Sequence, residues 1–305
     1  FGSSSRRSAH ARNSKPLRSL TLLRSAPAPS LQQHLPSSEP LRRASNFPNF
    51  FRKVPKTSQL FKMSGTREEL VFMARLAEQA ERHDDMVQYM KRVASFGAEL
   101  TLEERNLLSV AYKNAASARR AAWRSITYQE AQENPVHKPA IANYKTTVEA
   151  ELDEVCKDVL DLLDKYLIPT ASPGESKVFY MKMKGDYYRY SAEFKSGPGH
   201  AACAEAAKQA YQEAMTEATG SLHPASQIRL GLALNYAVFY NEVLRDADSA
   251  ISLAKSTLEE GQVAMDSLDP VQQQDSLQIL QLLSDNLSLW NSGTPGQDGT
   301  AVEDM

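Results

Sequence analysis

Cysteine is nearly missing from this chain. The two present, Cys156 and Cys203, form no metal-ligand or redox spacing, so they read as reduced structural thiols of an intracellular protein. Long apolar runs are missing too. The longest, GLALNYAVFY, falls well short of the roughly 18 residues a membrane helix needs and is interrupted by Asn235. The six histidines, His10, His34, His83, His137, His200 and His223, fall into no HExxH or other metal spacing. No G-x-x-x-x-G-K-[ST], G-x-G-x-x-G or G-x-S-x-G occurs, which removes the phosphate loop, the dinucleotide fingerprint and the hydrolase elbow. His83, Asp84 and Asp85 are the best catalytic material, and no nucleophile stands beside them. The expectation is a protein that is not an enzyme and holds no metal or cofactor.

Acid is scarce in one place only. Residues 1–62 hold twelve lysines and arginines against the single acid Glu39, a surplus of +11. The whole chain has a formal charge of -2, so the remainder carries -2 less +11, or -13. A body that acidic repels nucleic-acid backbones, which argues against a direct DNA or RNA binder. The Ser- and Arg-rich, proline-broken segment 1–62 cannot bury enough apolar surface to offset its ordering entropy and reads as disordered. Three readings of it stand open: translated upstream sequence or a partial gene model, an organellar transit peptide, or a regulatory arm carrying RRAS at Arg42–Ser45. Residues 291–305 form a polar, Gly-containing tail.

From Thr66 the text is helical. Thr66 with Glu69, and Thr101 with Glu104, have capping-box spacing, and Asp269-Pro270 offers an N-cap followed by proline at the first helical position. Apolar residues recur three and four apart, nothing alternates as strands do, and no 34-residue repeat is evident. The pattern predicts an all-α fold of about nine antiparallel helices, near 66–80, 84–96, 102–131, 139–168, 175–195, 200–219, 224–243, 247–264 and 270–290.

Within this acidic body, four residues could grip one phosphate. Lys113 and Arg120 lie seven apart in SVAYKNAASARRAAWR, on one helix face, while Arg189 and Tyr190 come from KVFYMKMKGDYYRY. Two guanidinium forks, an ammonium and a phenol suit a doubly charged tetrahedral anion. Spacing alone also allows an ordinary solvated basic face, with Asp186 pairing to Lys182 or Arg189.

The stretches RNLLSVAYKN, SKVFYMKMKGDYYRY, IRLGLALNYAVFY and LQLLSDNLSLW closely resemble the 14-3-3 family, and the resemblance runs from about Met63 to Trp290. It implies a cup-shaped helical protomer with an amphipathic groove and a domain over residues 63–290. Lys113, Arg120, Arg189 and Tyr190 match the family's phosphate contacts; Asn235 and Asn286 match its ligand-backbone contacts, with Glu242 and Trp290 lining that end of the groove. Val110, Leu234, Val238, Ile279, Leu282 and Leu289 match its apolar wall, although stripes at such helical spacing also suit a core. Asn235 could likewise make an internal helix–helix bond, and Asn286 could lie on the surface.

The resemblance further implies dimerisation, with itself or paralogues, through the first helices. Leu76 and Ala80 offer an apolar patch, Arg82 a partner for Glu151 across the interface, and Tyr144 a further contact. Two departures stand out. The basic partner expected for Asp85 is replaced by Thr147, and Ala122 stands where some members carry a serine whose phosphorylation loosens the dimer, so dimerisation is expected to be constitutive. The implied partners are phosphorylated clients, as classes kinases, metabolic enzymes, transporters and transcription regulators. The implied location is cytoplasmic and also nuclear, or organellar if residues 1–62 are a transit peptide.

Overall fold

The computed structural model describes residues 65–292. The expectations for residues 1–62, and for the tail beyond Ser292, lie outside the described residues. Among the described residues, nine long helices follow one another: α1 Arg67–Gln79, α2 His83–Ala94, α3 Leu102–Gln132, α4 Lys138–Leu162, α5 Glu175–Phe194, α6 Gly197–Ser221, α7 Gln227–Glu242, α8 Ala247–Ala264 and α9 Pro270–Asn291. No strand occurs among the described residues.

Side-chain caps set several of these starts. The Thr66–Glu69 and Thr101–Glu104 capping boxes are both closed in each direction, and Asp269 accepts from Val271 and Gln272 N–H ahead of Pro270. Three departures from the predicted limits have local causes. Helix α6 starts at Gly197, because Pro198 belongs to its first turn rather than before it. Helix α7 waits for Ser226, whose hydroxyl accepts from Arg229 N–H. Helix α4 does not run straight to its end: a π-wide turn, Leu163–Leu167, precedes a last α-turn, Ile168–Thr170. Pro169 would press on the carbonyl of Lys165 in an unbroken α-helix, and the wider turn opens that spacing.

Among the described residues the core divides into three clusters that share two helices. Helix α5 gives Tyr180, Met183, Tyr187 and Tyr190 to the cluster built with α1–α4, and Val178 to the one built with α6 and α7. Helix α7 gives Leu232, Tyr236 and Phe239 to that second cluster, and Leu230, Leu234 and Ala237 to a third with α8 and α9. The buried polar residues of α5 and α7, Asp186, Arg189, Ser191 and Asn235, are therefore flanked by apolar packing, and each must find a partner inside the protein.

The entry to α5 is fixed by Gly174. Its φ of +90° is a conformation that side chains strain to adopt, and its N–H donates to Glu217 Oε1 on α6 at 2.9 Å. The two cysteines are buried and unbridged, and burial pushes the Cys156 thiol up to about 12, which keeps it protonated.

Candidate functional site

Three of the four proposed phosphate residues meet across α3 and α5. Tyr190 is buried, and two guanidinium carbons lie over its ring: Arg120 Cζ at 3.9 Å from the centroid and Arg189 Cζ at 4.9 Å. Both arginines are themselves buried, 7% and 5% exposed, so this is not a solvated basic face. Two cations sharing one ring repel each other, and each is therefore held by a carboxylate. Arg120 Nε donates to Glu193 Oε2 at 2.7 Å, and Arg124 Nε donates to the other oxygen of Glu193 at 2.5 Å. Burial would raise the Glu193 carboxyl, but the charge and hydrogen bond of Arg120, then those of Arg124, bring it below the ordinary carboxylate value. Burial likewise works against the Arg120 cation, and Tyr190 and Glu193 more than offset it. Lys113 stands seven residues before Arg120 on α3 and is half-buried.

A second carboxylate anchors the other arginine. Asp186 Oδ1 accepts from Tyr211 Oη at 2.5 Å, from Asn235 Nδ2 at 2.9 Å and, more loosely, from Arg189 Nη2 at 3.4 Å. Its Oδ2 accepts from Lys182 Nζ at 2.9 Å. Both pairings foreseen for Asp186 are thus present, though inside the protein rather than on its surface. Asn235 makes the internal helix–helix bond that spacing allowed, and it makes it to the carboxylate that also steadies Arg189. Asn286 is buried, not superficial, and its Nδ2 has no hydrogen-bond partner among the described residues.

The proposed apolar wall divides by burial. Leu234, Val238 and Ile279 are buried, and Leu234 and Ile279 sit in the third core cluster. Leu282 and Trp290 are half-buried and pack against that same cluster, and Leu289 is also half-buried. A Cβ on Gly231 of α7 would lie 3.9 Å from both Ile279 Cδ1 and Lys182 Cε, so α5, α7 and α9 converge there and the apolar wall adjoins the Asp186 network. Val110 instead borders a depression lined by Glu78, Leu102, Glu103, Asn106 and Leu107. Glu242 is half-buried; burial raises its carboxyl, against the opposing fields of Arg189, Arg124 and Arg120. It therefore sits within electrostatic reach of the whole arginine group.

The residues proposed for an interface lie elsewhere, on α1, α2 and α4. Leu76 and Tyr144 are exposed, 47% and 62%, as is Ala80. Within the protomer Arg82 pairs with Asp85, while Glu151 stands 3.6 Å from Arg119 Nε, an ionic contact too long for a hydrogen bond. Thr147 returns its hydroxyl to Asn143 O of its own helix at 3.2 Å.

Sequence reasoning missed Arg124, Glu193 and Tyr211. Arg120 and Arg124 are like charges four apart on a helix, an arrangement that is unfavourable unless an anion joins them, and that was a readable signal. Tyr211 had none, since its partners lie 22 and 25 residues away on another helix. Among the described residues, no group of three or more His, Cys, Asp and Glu is gathered as metal ligands would be.

Comparison with known proteins places this geometry in a family. Residues 73–291 match the family described as 14-3-3 protein. The chain is 51% identical over 239 residues to 14-3-3 protein beta/alpha-B of Xenopus laevis, covering 78% of this chain and 98% of that protein. It is 52% identical over 248 residues to a 14-3-3-like protein of Chlamydomonas reinhardtii, covering 79% and 95%, and 51% identical over 243 residues to 14-3-3-like protein GF14 nu of Arabidopsis thaliana, covering 78% and 92%. A buried arginine pair stacked on one tyrosine, within an all-helical chain that matches these relatives over most of its length, leads to one conclusion: the chain belongs to the 14-3-3 family.

Proposed function

We propose that this protein is an adaptor that binds phosphoserine and phosphothreonine segments of client proteins. The observation that carries the reading is the pair of buried guanidiniums from separate helices, stacked on Tyr190 and each oriented by a carboxylate. Cations held this way are pre-organised for a tetrahedral dianion, and a phosphate that replaces water there gains charge-assisted hydrogen bonds. Each such bond contributes on the order of 1.5–3 kcal/mol, so losing one arginine should weaken binding by tenfold or more.

In this reading Lys113, Arg120, Arg189 and Tyr190 hold the phosphate, while Asn235 and Asn286 hold the extended backbone of the client. Glu242 and Trp290 line that end of the groove, and Val110, Leu234, Val238, Ile279, Leu282 and Leu289 form the opposite, apolar wall. Two protomers pair through Leu76, Ala80, Arg82, Asp85, Tyr144 and Glu151. The two grooves then engage a doubly phosphorylated client with an effective-concentration gain of roughly 10²–10⁴ over one site. Binding alters the client's conformation, location or access to partners.

Affinity purification from native lysate, with and without prior phosphatase treatment, tests the reading. Clients should be lost after dephosphorylation. Unchanged recovery would mean a helical scaffold whose partners are unphosphorylated.

A further inference from the structure

Tyr211, on α6, has no place in the groove as drawn above. It is nevertheless wholly buried and bonded to two groups that matter to it. Its phenol oxygen accepts from Arg189 Nε–H at 3.1 Å and donates to Asp186 Oδ1 at 2.5 Å. The same Oδ1 accepts from Asn235 Nδ2 at 2.9 Å. One hydroxyl and one carboxylate oxygen therefore connect the proposed phosphate arm on α5 with the proposed backbone arm on α7.

The placement of that hydroxyl is tightly constrained. The Tyr211 ring lies over Gly185 so closely that a Cβ there would fall 2.7 Å from Cδ1 and Cε1 and 2.9 Å from Cζ. On its other side the ring stacks on Tyr236, with centroids 5.2 Å apart, and meets Phe239 at 5.6 Å. A ring held between a glycine and two aromatics cannot swing, so its oxygen stays where Arg189 and Asp186 need it. Burial first, and the adjacent Asp186 charge next, raise the phenol well above its ordinary value, so the proton it gives Asp186 is always present.

We propose that Tyr211 is a positioning residue for the phosphopeptide site: acting on Arg189 directly and on Asn235 through Asp186, it fixes the two relative to each other, so that the phosphate and the peptide backbone are recognised as one unit. The proposal rests on the phosphopeptide reading of that site. Its consequence is that removing one buried hydroxyl, which is not among the proposed ligand contacts, weakens binding through Arg189.

The test is a double-mutant cycle in the full chain, read by fluorescence anisotropy with a labelled Arg-Ser-Ala-pSer-Ala-Pro peptide and its unphosphorylated twin. Tyr211→Phe keeps the ring packing and should weaken phosphopeptide binding about tenfold, the usual scale of one hydrogen bond to a charged group. In an Arg189→Ala background the same change should cost clearly less, because one of the two groups it orients is gone and only the link to Asn235 remains. Asp186→Asn should also lose affinity, and should couple to Tyr211→Phe in the same non-additive way, which keeps the test informative if one variant folds poorly. Binding by Tyr211→Phe within twofold of wild type overturns the proposal. So does an equal loss in both backgrounds, the mark of general loosening. Failure of the wild-type chain to distinguish the two peptides would overturn the phosphopeptide reading itself and is visible separately from either result.

Discussion

Replacing Gly185 by alanine pits two well-understood effects against each other. In an ordinary helix interior, Gly→Ala stabilises by about 1 kcal/mol through backbone entropy. Here the new Cβ would stand 2.7 Å from two Tyr211 carbons, where carbon atoms prefer about 3.5–4.0 Å. The ring would have to retreat by roughly 1 Å. Tyr236 and Phe239 close the way, and Tyr211 is fully buried among them. Overpacking of this kind costs typically 1–3 kcal/mol, so the net change should be destabilising by about 0–2 kcal/mol. Gly220, in the last turn of α6, is the control: nothing lies within 4 Å of its added Cβ, so alanine there should be neutral or stabilising, up to about 1 kcal/mol. Urea unfolding followed by circular dichroism gives both values if the m-values agree. The reasoning is refuted if Gly185→Ala raises the midpoint as much as Gly220→Ala does.

Three further outcomes follow from particular contacts. Glu193→Ala removes the shared anchor of Arg120 and Arg124 and should destabilise by about 1.5–3 kcal/mol in the same assay, with the deficit shrinking in acid; the Glu193 carboxyl lies below its ordinary value, so its contribution is present above the unfolded pKa and fades as pH falls through the folded one. Glu242 has the opposite sign: burial raises its carboxyl, so its ionised form costs stability at neutral pH, and Glu242→Gln should raise Tm at pH 7 by a margin that vanishes once the pH drops below the ordinary carboxylate value. Leu76→Glu places a charge in the exposed α1 patch of the proposed dimer interface and should halve the sedimenting mass in analytical ultracentrifugation without altering the helical spectrum; an unchanged mass removes α1 from that proposed interface.

Much of the fold was legible because its causes are local. Thr66, Thr101 and Asp269 announce helix starts through side chains that reach backbone N–H groups only two or three residues away. The π-wide turn before Pro169 was not legible. Proline marks a disturbance, but whether the helix breaks or widens depends on what packs around it, and here the buried Leu163 and Leu167 keep it in place. The four residues of the proposed phosphate set were readable as residue types, with Lys113 and Arg120 on one helix face, but their spacing equally suited a solvated basic face, and the phosphate role came from the resemblance. Their burial was not readable, because a helix that borders two core clusters is recognisable only once both are assembled. Glu193 was signalled only indirectly, by the Arg120–Arg124 spacing that calls for an anion, and Tyr211 not at all, since each meets its partners on a different helix. The stripes Leu234/Val238 and Ile279/Leu282 posed a choice between core and groove that helical spacing alone does not make; Leu234 and Ile279 are buried in one core cluster, and Ile279 approaches Gly231 on the side where Lys182 also lies.

The central claim is that Arg120 and Arg189 form a phosphate site. Isothermal titration of a phosphoserine peptide into the full chain, and into an Arg120→Ala, Arg189→Ala variant of matched helical content, tests it most directly. The account predicts binding by the wild-type chain that needs the phosphate, weakens as pH falls below about 6 where the phosphate loses its second charge, and is lost in the variant. Equal affinity in the two proteins, or equal affinity for the phosphorylated and unphosphorylated peptides, would contradict it.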